Sequence, residues 1–139
     1  MHGKSFLDTN IFIYAFDVQT PAKAVIADRL IKEAISYRTS VVSYQVVQEF
    51  VSVALRKQSS FGTANIQAYL QQVLTPLCAI QSSALLFEQA LVVQQRYKLS
   101  WYDSLIVAAA QEAQCEILYT EDLQHGQQFD ALLVVNPFQ

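Results

Sequence analysis

The chain has 139 residues and a mass of 15.7 kDa, enough for one domain with a real core and too little for two. Residues of the AVILMFWYC set make up 53% and charged residues only 15%, which argues against a disordered tail or a coiled coil, while three glycines and three prolines exclude collagen and Gly-rich phosphate loops. A formal charge of −3 and a pI near 5.2 argue against a grip on nucleic acid through bulk positive charge, but not against nucleic acid as a substrate, because bound divalent ions reverse the local sign of a site. No apolar run exceeds six residues, far short of the roughly 18 of a membrane span. Lys4 and Asp8 break up any signal-peptide pattern, so a soluble, cytoplasmic protein is expected, with one domain over residues 1–139. Cys78 and Cys115 make neither a disulfide framework nor a zinc site and are expected as small buried apolar residues.

In chain order, Ser5-Phe6-Leu7 reads as a short buried strand ending at Asp8, and Ile11 to Phe16 as a short helix. Thr20-Pro21, a capping hydroxyl followed by proline, starts a helix that runs to about Tyr37 with Val25, Ile26, Leu30 and Ala34 at helical spacing. Thr39 to Ser43 is a second strand, and Ser43 is placed to cap the next helix. There Val46, Val47, Phe50, Val53 and Ala54 form one stripe and Gln45, Glu49, Ser52 and Arg56 another. Gly62-Thr63 opens a helix to about Leu74, which Pro76 should stop, and Leu77 to Ile80 is a strand. Ser82 or Ser83 caps a helix to Tyr97, and Trp101 to Ala113 is another. Glu116 to Tyr119 is a strand, Thr120 to Phe129 a loop, and Leu132 to Val135 the last strand. Short apolar strands alternating with helices imply βαβ units and a mostly parallel sheet covered on both faces. Ligands of such sheets bind beyond the carboxyl ends of the strands.

Four acidic residues stand at such places. Asp8 ends the first strand, Asp122 follows a later one, Asp103 lies in the first turn of its helix, and Glu49 is about two turns into the helix after the second strand. Each alone has an ordinary reading as a turn, cap or surface charge. Together, beside Phe6-Leu7 and Trp101-Tyr102, they set bare charge in apolar surroundings, which is costly without compensation. An all-oxygen cluster suits hard cations such as Mg2+ or Mn2+, which lower the pKa of a bound water and neutralise charge on a phosphodiester. No Gly-x-Ser-x-Gly elbow, Cys–His pair or Walker loop offers a different chemistry. Asn10 and Thr120 are placed to fix the carboxylates from behind, or simply to form turns. Arg56, Lys57, Arg96, Lys98 and His125 are the basic groups nearest the strand-end regions.

The blocks Phe6-Leu7-Asp8-Thr9-Asn10-Ile11, Gln48-Glu49-Phe50, Trp101-Tyr102-Asp103-Ser104-Leu105-Ile106 and Tyr119-Thr120-Glu121-Asp122-Leu123 resemble the PIN-domain ribonucleases, above all the VapC-type toxins of toxin–antitoxin pairs. The likeness runs to the closing Val134-Val135-Asn136-Pro137-Phe138. It implies a three-layer α/β/α sandwich with a mostly parallel central sheet, and metal-dependent endoribonuclease activity. Asp8, Glu49, Asp103 and Asp122 match the family's acidic quartet for Mg2+ or Mn2+, and Thr120 the hydroxyl that bonds the first Asp. A small antitoxin partner and a homodimer follow from the same resemblance. Exposed stripes on the helices from Thr20 and Thr63 could supply the dimer face, or could equally be core. Phe129-Asp130-Ala131 departs from the glycine-containing loop of many members. Two alternatives remain: a HAD-like phosphohydrolase with Asp8 as nucleophile, which would want a second carboxylate where Asn10 stands and a lysine such as Lys98, and a non-catalytic RNA-binding module.

Overall fold

Ser5–Leu7 is buried throughout, Phe6 and Leu7 completely, as expected of a strand covered on both faces. The structure is a computed structural model that describes residues 3–16, 19–57 and 63–139. Around β1 (Ser5–Leu7) it arranges α1 (Thr9–Ala15), α2 (Pro21–Tyr37), β2 (Ser40–Ser43), α3 (Tyr44–Arg56), α4 (Thr63–Tyr69), β3 (Cys78–Ile80), α5 (Ala84–Tyr97), α6 (Trp101–Glu112), β4 (Ile117–Tyr119), β5 (Gln128–Phe129) and β6 (Leu132–Val135). The sheet order is β3-β2-β1-β4-β6-β5, parallel except for the antiparallel edge strand β5.

From β1 the chain moves outward to β2 and β3, then returns across the sheet to β4 on the other side of β1. Right-handed crossovers in opposite directions put helices on opposite faces. Accordingly α1 packs on α2 and α3, while α5 packs on α6. This mostly parallel sheet between helical layers is the expected α/β/α architecture. The core joins Phe6, Val42, Leu118 and Val134 of the strands to Phe12 of α1, Phe50 of α3 and the Val107–Ala110 stretch of α6, all at most 2% exposed. Phe50 stacks on Tyr69 at 5.2 Å between ring centres, and Phe16 meets Tyr69 edge-on at 4.7 Å.

Several local expectations change. Ser100 and Ser83 cap their helices, but the Ser43 hydroxyl makes no capping bond to α3, and Thr20 starts α2 without its hydroxyl capping the helix. α2 turns Ala27, Ile31 and Ala34 to the core and leaves Val25 two-thirds exposed, since packing on α1 selects the buried stripe. Pro76 does not stop the helix before it: α4 continues through a π-helical turn at Leu70–Leu74 into a last turn at Thr75–Leu77, with the proline within that last turn. Gly62 lies outside the described residues. Gln128–Phe129, read as loop, is a strand made by its pairing with β6. In the hairpin between them Asp130 takes φ 56°, the left-handed conformation for which other chains would use glycine. Cys115 is buried, its thiol pushed up to about 11 by burial, and both cysteines are free. Among the described residues no helix is long and apolar enough to cross a membrane.

Candidate active site

β1 and β4 are adjacent at the point where the chain's progress across the sheet reverses, and the site forms at their carboxyl ends. Asp8 continues the ladder one step past β1, donating its N–H to the Tyr119 carbonyl at 3.1 Å. Its side chain is only 5% exposed. One carboxylate oxygen accepts the Thr9 N–H at 2.7 Å and so caps α1; the other accepts the Thr120 hydroxyl at 2.8 Å. Thr120 is fully buried, and its hydroxyl is saturated. Its single proton goes to Asp8, while its lone pairs accept Asn10 Nδ2 at 3.3 Å and the Asp122 N–H at 3.1 Å. Asn10 Nδ2 also lies 3.2 Å from Asp122 Oδ2. One oxygen therefore fixes Asp8, Asn10 and Asp122 relative to one another.

Glu49 reaches the same place from α3, where its stripe of polar residues faces the strand ends. Its Oε1 accepts the Thr9 hydroxyl at 2.6 Å and its Oε2 faces Gln45 Nε2 at 3.4 Å. Gln45 Nε2 also donates to the Tyr102 carbonyl at 3.2 Å, tying α3 to the first turn of α6. Asp103 sits in that turn, its N–H bonded to the Ser100 hydroxyl at 3.1 Å. Asp8, Glu49, Asp103 and Asp122 all open onto one cavity of about 710 Å³, whose wall also holds Asn10, Arg56 and Lys57. Arg96, Lys98 and His125 do not line it. Arg96 faces Asp130 at 3.5 Å, Lys98 ends α5 in a left-handed conformation, and His125 Nδ1 accepts the Asn136 N–H at 3.0 Å.

Burial raises the Asp8 carboxyl to about 7; the charges of Asp122 and Glu49 add to this, against the hydrogen bonds from Thr120 and Thr9. Asp122 is raised as well, first by burial and then by Asp103, Glu121 and Glu49, with the Asn10 bond opposing. Among the described residues no lysine or arginine forms an ion pair with any of the four. Nor, among these residues, do three His, Cys, Asp or Glu side chains already stand grouped to hold a metal ion. Asp8, Glu49 and Asp122 are turned towards neutral donors. The fit to a hard divalent cation thus rests on an all-oxygen donor set around the buried Asp8, which has no basic partner among the described residues, and not on a finished coordination shell.

Sequence reasoning passes over several residues here. Thr9 and Gln45 hold Glu49, and both could be suspected: one follows Asp8, and the other lies one turn before Glu49 on its polar stripe. The Tyr14–Lys23–Glu121 group carries no local signal. Tyr14 donates its hydroxyl proton to Glu121, and Lys23 Nζ lies 3.0 Å from Glu121 Oε2 and 4.5 Å above the Tyr14 ring.

A profile of the PIN domain matches residues 5–128, a span that includes all four carboxylates. The chain belongs to the PIN-domain family. No curated protein sequence matches it. Among solved structures, this PIN domain is similar to a chain of a toxin–antitoxin complex from Klebsiella pneumoniae, at 22% identity and a TM-score of 0.69, covering 96% of this chain and 98% of that one. It is similar to the sarcin–ricin loop cleaving toxin VapC20 of Mycobacterium tuberculosis, at 20% identity and 0.61, over 86% and 90%. It is similar also to FitAcB of Neisseria gonorrhoeae, at 21% and 0.62, over 96% and 98%. At these identities the likeness establishes a shared fold over nearly the whole of each chain.

Proposed function

We propose that this PIN domain is a Mg2+- or Mn2+-dependent endoribonuclease, the toxin of a toxin–antitoxin pair, in which Asp8, Glu49, Asp103 and Asp122 hold the cation. The observation that carries the reading is the convergence of four acidic side chains from four separated elements on one cavity, without a basic partner among the described residues. A divalent ion in that position supplies a water of lowered pKa and neutralises charge that gathers on the phosphodiester. The protein does the rest by position. Thr120 and the Thr9 N–H fix Asp8 in one rotamer, Asn10 steers Asp122, and Thr9 with Gln45 steers Glu49. Arg56 and Lys57, at the far end of α3 on the cavity wall, offer positive charge to the RNA phosphates. The toxin role and a small protein antitoxin are supported by the structural neighbours, one a toxin–antitoxin complex and one a sarcin–ricin loop cleaving toxin. A single domain over residues 1–139, a homodimer and a cytoplasmic setting complete the proposal.

The test is RNA cleavage by the purified protein, freed of any antitoxin. Internal cuts are expected with Mg2+ or Mn2+, none in EDTA, and none from Asp8→Asn. RNA that is bound but left intact in both metals would overturn the reading in favour of a binding module. A phosphoryl group trapped on Asp8 would overturn it in favour of a HAD-like phosphohydrolase.

A further inference from the structure

The acidic cavity has two unlike ends. Along its α3 wall stand Glu49, Ser52, Val53 and Arg56, at i, i+3, i+4 and i+7, so one face of the helix runs beside it. Lys57, the C-cap of α3, follows on the same wall. Seven residues of helical rise carry Arg56 about 10 Å along the axis from Glu49. The other carboxylates lie towards the opposite end. Thr9 joins Glu49 to Asp8, and Gln45, one turn before Glu49, meets the turn that holds Asp103. Among the described residues that line the cavity, Arg56 and Lys57 are the only basic ones. Both are exposed, and neither forms an ion pair among the described residues. Lys23, beside the cavity, is already committed to two lining residues, at 3.0 Å from Glu121 and 3.2 Å from the Tyr14 hydroxyl.

We infer that the cavity grips its RNA on one side of the cut only: the phosphate to be cleaved lies at the carboxylates, and Arg56 with Lys57 holds a flanking phosphate further along α3. The inference rests on the ribonuclease reading and adds to it a direction and an order of release. Carboxylates repel a phosphate until a cation joins them, so the attraction that needs no metal sits at the Arg56 end. A net charge of −3 supplies no diffuse positive field to hold the strand elsewhere. After the cut, the fragment that lies along α3 keeps its contacts with Arg56 and Lys57 and leaves last. The other fragment meets no basic residue among the described residues of the wall and leaves first.

The test takes wild-type protein in Mg2+ and a short RNA strand whose cleaved bond has been mapped. One phosphate at a time is replaced by a neutral methylphosphonate on a deoxyribose, each strand compared with its all-phosphate control carrying the same deoxyribose. KM should rise about tenfold for a neutral position on one side of the cut and stay level on the other. Arg56→Gln should weaken binding of the all-phosphate strand about tenfold and erase the penalty at that position. It should also lower the slope of log affinity against log salt by about 0.7, and Arg56→Lys should restore most of the affinity. Of the two product fragments, one should inhibit at about a tenth of the concentration of the other, and Arg56→Gln with Lys57→Gln should level them. Equal penalties on both sides of the cut, or fragments that inhibit equally, overturn the inference. So does an Arg56→Gln protein that cuts slowly at saturation with affinity unchanged, or one altered only in Tm, which would leave Arg56 a charge at the end of its helix. Any of these with cleavage intact in the wild type spares the nuclease. A wild-type protein that binds the strand with an Arg56-dependent salt slope yet never cuts it does the reverse.

Discussion

Two walls of the acidic cavity treat negative charge in opposite ways. On one, Glu121 is neutralised by Lys23 and also bonded by Tyr14, with Lys23 seated over the Tyr14 ring and 5.5 Å from the centre of Phe138. On the other, Asp8, Glu49 and Asp122, the last adjacent to Glu121 in sequence, receive hydrogen bonds from hydroxyls, amides and backbone N–H groups only. Neutral donors orient a carboxylate without cancelling its charge. Glu121 is thus a satisfied anion that fastens the segment after β4, whereas its neighbour Asp122 has no basic partner among the described residues.

The sharpest way to break this comparison is Asp8→Asn. Cleavage should fall by roughly a thousandfold, the scale of losing one group that stabilises transition-state charge. Stability of the metal-free protein should not fall at pH 8. The amide cannot accept from both Thr9 and Thr120, but the substitution also removes a buried charge, and the second effect is the larger. Unfolding of Asp8→Asn in EDTA would make Asp8 a structural cap on α1 and nothing more.

Next in size is a dependence on pH without metal. The Asp8 carboxyl is raised from 3.8 to about 7, so between these values the folded protein keeps a proton that the unfolded chain releases. That contribution to stability is complete below about pH 4 and is lost as pH rises through 7, amounting at most to something on the order of 4 kcal/mol. Asp122 is shifted the same way and adds to the slope. Urea midpoints in EDTA from pH 4.5 to 8 should therefore decline, and the decline should flatten in Asp8→Asn. Parallel profiles for the two proteins would show that Asp8 titrates normally.

How much of this was legible beforehand follows the range of the forces involved. Phe6-Leu7, Val42, Leu118 and Val134 announced buried strands because burial on both faces writes itself as an apolar run. The four carboxylates were legible as residues at element ends, and their convergence followed from the strand-end rule of parallel sheets. What stayed hidden is set by pairing across the chain. β5 exists only through β6, the helix continues past Leu74 by a π-helical turn into the turn that holds Pro76, and Lys23 meets Glu121 across 98 residues. Ser43 has the sequence position of a cap before α3, yet its hydroxyl makes no capping bond and is buried without a hydrogen-bond partner among the described residues.

A smaller effect separates the two walls by adding metal. If the uncompensated carboxylates hold Mg2+, an ion present at a hundred times its Kd should stabilise the fold by about 2.7 kcal/mol, or about 9 °C in Tm for a chain of this length. Asp8→Asn should lose most of that shift. Ca2+ or Mg2+ raising Tm equally in both proteins would place the ion elsewhere.

The smallest effect is expected on the satisfied wall, and it is the most discriminating. Lys23→Met removes the cation but keeps most of the stem that lies over Tyr14, and Glu121→Gln removes the anion while leaving an oxygen for the Tyr14 hydroxyl. The pair is partly exposed on both sides, and single pairs open to solvent contribute little to stability, so neither change should unfold the protein. Each should alter cleavage by less than about threefold and leave the Mg2+-induced rise in Tm intact. Lys23→Met alone frees a negative charge beside Asp122, which should tighten Mg2+ binding slightly; adding Glu121→Gln should restore the original affinity. If Glu121→Gln by itself abolishes the Mg2+ shift as Asp8→Asn does, then Glu121 is a ligand too, and the two walls are one.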